Sequence, residues 1–169
     1  MTTLPGRLGI LTAHDVMTGQ VVCVCEIDPI DTAIGVLREN HITGAPVVDE
    51  QGKLVGILSL NDLISAPHDG PSDESPATPL AHGTDRTIWD LFERAGRVEA
   101  DTSEQKVGDR MSRQVTSVTE NAPLVDIARA MCDGHWHRVP VVDNAGSLTG
   151  IISTMDVLAA MVNAHDEMQ

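Results

Sequence analysis

Ala45-Pro46-Val47-Val48-Asp49 returns as Val139-Pro140-Val141-Val142-Asp143, at an offset of 94 (from 46 to 140). The same offset, without a gap, pairs Met17 with Met111, Pro29 with Pro123, His41 with His135 and Gly52 with Gly146. It also pairs Leu54 with Leu148, Gly56-Ile57 with Gly150-Ile151, Ser59 with Ser153 and Asp62 with Asp156. Chance identities would not keep one register over roughly fifty residues, so the chain is an internal duplication.

Working outward from that stretch, each copy spells the same elements. Ile30, Ala33, Ile34 and Leu37, like Leu124, Ile127, Ala128 and Met131, recur at i, i+3, i+4 and i+7, the apolar stripe of one helix face. Pro29 and Pro123 stand at the helix starts, where a missing N–H costs nothing, and Asn40 and Gly134 are the expected stops. Ala45–Asp49 and Leu54–Leu58 read as short apolar strands joined by the Glu50-Gln51-Gly52-Lys53 turn. The second copy gives Val139–Asp143, a turn at Asn144–Gly146, then Leu148–Ile152. One more strand, Val21–Cys25 or Val115–Thr119, precedes each first helix, and a last helix begins at Ser59 or Ser153. The unit is strand, helix, strand, strand, helix: a mixed α/β chain of the α+β type.

Between the copies, residues 67–106 are of another kind. Pro67, Pro71, Pro76 and Pro79 among Ser, Asp and Gly predict a mobile loop. Asp85–Gly96 then places Ile88, Leu91, Phe92 and Ala95 at helical spacing, a helix that needs a surface to cover its apolar face.

Composition bounds what such a chain does. Among 169 residues, 11 Lys+Arg stand against 25 Asp+Glu, a net charge of −14. That balance argues against nucleic acid, whose phosphates demand a basic surface, and against an anionic membrane face. Hydrophobic residues make up 41% of the chain, enough for a core, but rings are confined to Trp89, Trp136 and Phe92. The core is therefore expected to be aliphatic. No apolar run resembles a leader or a membrane span, and the odd number of cysteines (Cys23, Cys25, Cys132) suits reduced thiols better than a disulfide framework. The expectation is a cytoplasmic protein.

The duplicated unit resembles a tandem pair of cystathionine-β-synthase (CBS) domains, the Bateman module. The resemblance rests on Asp15-Val16-Met17 and Asp109-Arg110-Met111, on the Pro-Val-Val-Asp hairpins, and on two Gly-Ile-x-Ser-x-x-Asp segments. Those segments are Gly56-Ile57-Leu58-Ser59-Leu60-Asn61-Asp62 and Gly150-Ile151-Ile152-Ser153-Thr154-Met155-Asp156. It implies CBS repeats at 8–66 and 107–163, related by a pseudo-twofold and packed through their sheets with clefts between them. It further implies a homodimer that regulates a separate protein by binding an adenosine nucleotide or S-adenosylmethionine.

The candidate site residues follow from the motifs. Ser59-x-x-Asp62 and Ser153-x-x-Asp156 are capping boxes in their own right, two orphan N–H groups satisfied reciprocally. The same geometry offers a ligand more, since a helix N-terminus favours an anion and a carboxylate accepts both hydroxyls of a ribose. The resemblance implies that second role for Ser59, Asp62, Ser153 and Asp156. In the second repeat, His137-Arg138 before Val139-Pro140 resembles the phosphate-binding stretch in the gamma subunit of AMP-activated protein kinase. Arg suits a phosphate through its planar fork of donors. The alternative is that His135 and His137 flank an anchored Trp136, with Arg138 a surface residue. The first repeat has Thr43-Gly44 in place of His137-Arg138, so the two clefts are expected to differ.

Asn61 and Met155 stand where nucleotide-binding relatives often carry a cation, which favours AMP over ADP or ATP, with NAD and S-adenosylmethionine as further candidates. Cys23 and its counterpart Ser117 occupy the first-strand position implied to contact the base, and Ala45 and Val139 would line it. No obligatory cofactor, metal site or catalytic constellation is expected: the histidines lack metal spacing, and neither a P-loop nor a nucleophile elbow is present. Two other readings remain open. One is a ligand-free dimeric interaction scaffold, with the motifs acting only as caps. The other is a thiol- or metal-responsive protein through Cys23 and Cys25, against the simpler expectation that both are buried small hydrophobes.

Overall fold

The apolar stripes identified by periodicity do form helices. In the computed structural model, which describes residues 9–64 and 105–166, α2 runs Ile30–Glu39 with Ile30, Ala33, Ile34 and Leu37 buried. Its repeat, α5 (Leu124–Gly134), buries Leu124, Ile127 and Met131. Pro29 and Pro123 occupy the N-cap positions in extended conformation. Asn40 ends α2 as read from sequence. Gly134, expected as a stop, is instead the last helical residue, and His135 takes the left-handed conformation at φ 54°. A side chain at Gly134 would meet the Trp136 ring at 2.5 Å, so glycine serves the close approach of that ring.

Each helix packs on a three-stranded sheet. In the first, β1 (Val24–Cys25) pairs parallel with β2 (Gly44–Val48), and β2 pairs antiparallel with β3 (Leu54–Ser59). The second repeats this with β4 (Val118–Thr119), β5 (Arg138–Val142) and β6 (Leu148–Ser153). The leading strands are two residues long rather than the five expected, because only Val24 and Cys25, or Val118 and Thr119, find partners on the central strand. Each hairpin turn is fixed by its aspartate. Asp49 Oδ1 accepts from the Gln51 and Lys53 N–H groups, Asp143 Oδ1 from Ala145 and Ser147. Gly52 and Gly146 take φ of 80° and 84° there. The last helices, α3 (Leu60–Ile64) and α6 (Thr154–Asp166), follow directly on β3 and β6.

The compact units do not follow the sequence repeats. One unit is 22–115; the other joins 1–21 to 116–169. The reason lies in the short helices α1 (Ala13–Val16) and α4 (Val107–Arg110), which precede the repeats. α1 docks on the second sheet. There Thr18 and Ile151 exchange backbone hydrogen bonds at 2.9 and 3.0 Å, and the Ala13 and His14 N–H groups donate to Ala122 and Glu120 carbonyls. α4 docks on the first sheet, where Ile57 and Ser112 exchange two bonds of 2.9 Å. Each arm drives a methionine onto a strand glycine, Met17 onto Gly150 and Met111 onto Gly56. Two separate cores result, and both are aliphatic as composition requires. One centres on Ile34, Leu37, Val47 and Leu58, the other on Ile127, Val139, Val141 and Ile152. The proline-rich loop and the Asp85–Gly96 helix with Trp89 and Phe92 lie outside the described residues.

Candidate functional site

The paired Ser-x-x-Asp motifs sit where each sheet's last strand turns into its last helix. Ser59 ends β3 and Ser153 ends β6, so both serines occupy the N-cap of the following helix. In the first, the Ser59 N–H and the Ser59 hydroxyl both donate to Asp62 Oδ2 at 2.7 Å, and the Asp62 N–H returns a longer bond of 3.4 Å to Ser59 Oγ. In the second, Ser153 N–H and Oγ–H donate to Asp156 Oδ2 at 2.7 and 2.6 Å, with 3.3 Å for the return. These are complete capping boxes. Each box engages Oδ2 alone. The other oxygen, Oδ1, accepts no hydrogen bond among the described residues in either repeat. Burial pushes the Asp62 carboxyl above its usual range, and the bonds from Ser59 pull it part of the way back.

The two motifs have different neighbours. Strand register sets Arg138 directly across from Ser153, and Gly44 directly across from Ser59. Arg138 is exposed and makes no ion pair among the described residues. At Gly44 a Cβ would lie 3.0 Å from the Leu58 carbonyl and 3.5 Å from the Ser59 Cβ, so that position holds neither a cation nor room for one without a shift. His137 is exposed, and its carbonyl accepts from the Thr154 N–H at 3.0 Å and from the Thr154 hydroxyl at 3.1 Å. Thr154 was not singled out by motif. Its counterpart is Leu60, and that mismatch between copies was the available signal.

The remaining candidates divide by unit. Ser59, Asp62, Ala45 and Cys23 belong to the 22–115 unit; Ser153, Asp156, Ser117, His137, Arg138, Val139 and Pro140 belong to the other. Ala45, Val139 and Pro140 are buried in their strands, so their side chains serve the cores and what they offer outward is main chain. Ser117 is exposed just before β4. Cys23 is also exposed, and Cys25 half-buried, which corrects the expectation of two buried thiols. The strand begins only at Val24, whose side chain takes the inward place. Partial desolvation, then the neighbouring Cys25 and Asp28, raise the Cys23 thiol above its usual range. Trp136 is half-buried against the second core, as an anchored ring would be.

Two more aspartates share the box geometry. Asp15 Oδ2 accepts from the Thr12 N–H and hydroxyl at 2.8 Å, and Asp109 Oδ2 from the Lys106 N–H at 3.0 Å. They cap the arm helices, which explains their place in the repeat. Among the described residues no group of three His, Cys, Asp or Glu could hold a metal ion, and no helix is long and apolar enough to cross a membrane.

Comparison with known proteins agrees with this architecture. The model of the CBS domain matches residues 8–69 and 107–163. The CBS domain-containing protein CBSX1, chloroplastic, of Arabidopsis thaliana is 34% identical over 91% of this chain, which spans 65% of that protein. CBSX2 of the same plant is 31% identical over 99% of the chain, covering 70% of its length. A crystal structure of CBSX2 in complex with AMP superposes at a TM-score of 0.64 with 28% identity, over 90% of this chain and 97% of that one.

Proposed function

Because the chain belongs to the CBS-domain family, we propose that it is a regulatory module that senses an adenosine-containing ligand, AMP before ADP, ATP, NAD or S-adenosylmethionine, and acts on a separate protein rather than catalysing a reaction. The carrying observation is the register pair Arg138–Ser153 beside an Asp156 whose Oδ1 is uncommitted. A ribose diol on Oδ1 and a phosphate on Arg138 would use groups already in place. The AMP complex of the similar CBSX2 supports the ligand class. Asn61 and Met155, both exposed, add no cation for a second or third phosphate, which favours the monophosphate. Asp62 and Ser59 offer the ribose half of the site without the cation. Cys23 and Ser117 would approach the base, together with main chain at Ala45, Val139 and Pro140.

The test is titration of AMP, ADP, ATP, NAD and S-adenosylmethionine, following melting temperature and tryptophan fluorescence. AMP should stabilise saturably. A charged hydrogen bond of about 1.5–3 kcal/mol means that Asp156→Ala weakens AMP binding by roughly one to two orders of magnitude. Asp62→Ala should weaken it less. No stabilisation by any of the five at millimolar concentration overturns the reading, and equal effects of the two variants overturn the asymmetry.

A homodimer of cytoplasmic modules completes the proposal. On α6, Met155, Leu158, Met161 and Val162 form one outward stripe, 68, 49, 51 and 59% exposed. An apolar helix face of this kind pairs with its own copy about a twofold. The same stripe supports the second reading, a scaffold whose capping boxes bind nothing.

A further inference from the structure

We propose that Met17 is an oxidation site: a hydroperoxide converts its thioether to the sulfoxide, which leaves its seat on Gly150 and frees the segment 12–18 from the second sheet. The sulfur lone pair attacks the hydroxyl oxygen of the hydroperoxide, the S–O bond forms as the O–O bond breaks, and that oxygen's proton passes to the departing oxygen, which leaves as water or an alcohol. Methionine loses two electrons and the peroxide gains them.

The geometry makes the seat intolerant. Gly150 is buried in β6, and a Cβ there would overlap Met17 Sδ and lie 2.9 Å from Cγ and 3.1 Å from Cβ. The thioether therefore rests directly on backbone, among the apolar groups of the core that contains Ala13, Ile127 and Ile152. A sulfoxide brings a strong acceptor and extra bulk into that contact, and a buried acceptor without a donor is costly. Access distinguishes the two copies of the device. Met17 is half-buried, whereas Met111, seated identically on Gly56, is 8% exposed.

The apolar hold on the segment is narrow. α1 has four residues, far too short to persist alone, and its apolar anchors are Ala13, Val16 and Met17. Beyond them stand the two bonds between Thr18 and Ile151, those from Ala13 and His14, and the Leu124 N–H to the Leu11 carbonyl at 2.8 Å beside the Thr12–Pro123 bridge.

The test treats the full chain with hydrogen peroxide, maps sulfoxides by peptide mass spectrometry, and measures amide hydrogen exchange. Met17 should oxidise in the same interval as exposed Met155 and Met161 and ahead of Met111. Exchange at the Thr18 and Ile151 amides should then rise at least tenfold. Met17→Leu, treated identically, should keep their protection, and the Met155→Leu/Met161→Leu double variant should still lose it. The proposal falls if Met17 oxidises no faster than Met111, if its sulfoxide leaves protection unchanged, or if the double variant abolishes the rise.

Discussion

Asp62 shows how a single side chain serves two masters. Burial raises its carboxyl above the usual range while the Ser59 bonds oppose the rise. Folded Asp62 thus holds its proton more tightly than the unfolded chain does. Its contribution to stability is greatest below the ordinary carboxylate range and declines as pH climbs through the raised value. Asp62→Asn keeps an acceptor for both Ser59 donors and removes the charge. Melts between about pH 3 and pH 7 should place the variant at or above the parent at neutral pH, with the gap closing on acidification. Ligand affinity should fall in the same variant, so stability and binding separate. His135 offers a second residue-level case. Its φ of 54° carries a left-handed penalty of about 1–2 kcal/mol, against roughly 0.5–1 kcal/mol for glycine's extra freedom. Denaturant unfolding of His135→Gly should therefore show a gain of about 0.5 kcal/mol. A loss would mean that the imidazole itself is doing something for the fold. The capping boxes were legible from residue types and spacing. The direct opposition of Arg138 to Ser153 was not, because register emerges only when both strands pair.

At the level of elements, α2 and α5 were read correctly because their apolar stripes persist for several turns. The leading strands were read too long because Val21 and Val115 look like strand residues whether or not a partner lies alongside. The docking of each arm on the sheet of the other repeat left no signal at all. Asp15-Val16-Met17 and Asp109-Arg110-Met111 repeat faithfully, but nothing in them states which sheet will receive them. The glycine seats make that docking measurable. A Cβ on Gly56 would meet Met111 Sδ at 2.5 Å and the Ser112 carbonyl oxygen at 3.0 Å, whereas the contacts at Gly150 are all with the Met17 side chain. A side chain can swing away more readily than a backbone pinned by two hydrogen bonds. Gly56→Ala should therefore cost more than Gly150→Ala in urea unfolding, with overpacking of about 1–3 kcal/mol as the scale. Combining Gly150→Ala with Met17→Ala should relieve the clash, leaving a double variant less destabilised than the sum of the two singles.

For the molecule as a whole, charge and the α6 stripe pull against each other. A net charge of −14 repels a second copy, while the proposed dimer rests on the stripe. Screening weakens only the first, so sedimentation equilibrium should show dimers tightening from low to physiological salt. Leu158→Asp should leave monomers at every ionic strength. At offset 94 the stripe corresponds to Asn61, Ile64, Pro67 and His68, so the two repeats are not interchangeable as association surfaces. The crossed arms reach further still. Because the compact units are 22–115 and 1–21 with 116–169, neither can be encoded by one of the sequence repeats alone. A single repeat made alone would lack the arm that seats on its sheet and carry one that seats on the other. Cutting the chain between the repeats should give halves that fold only when expressed together.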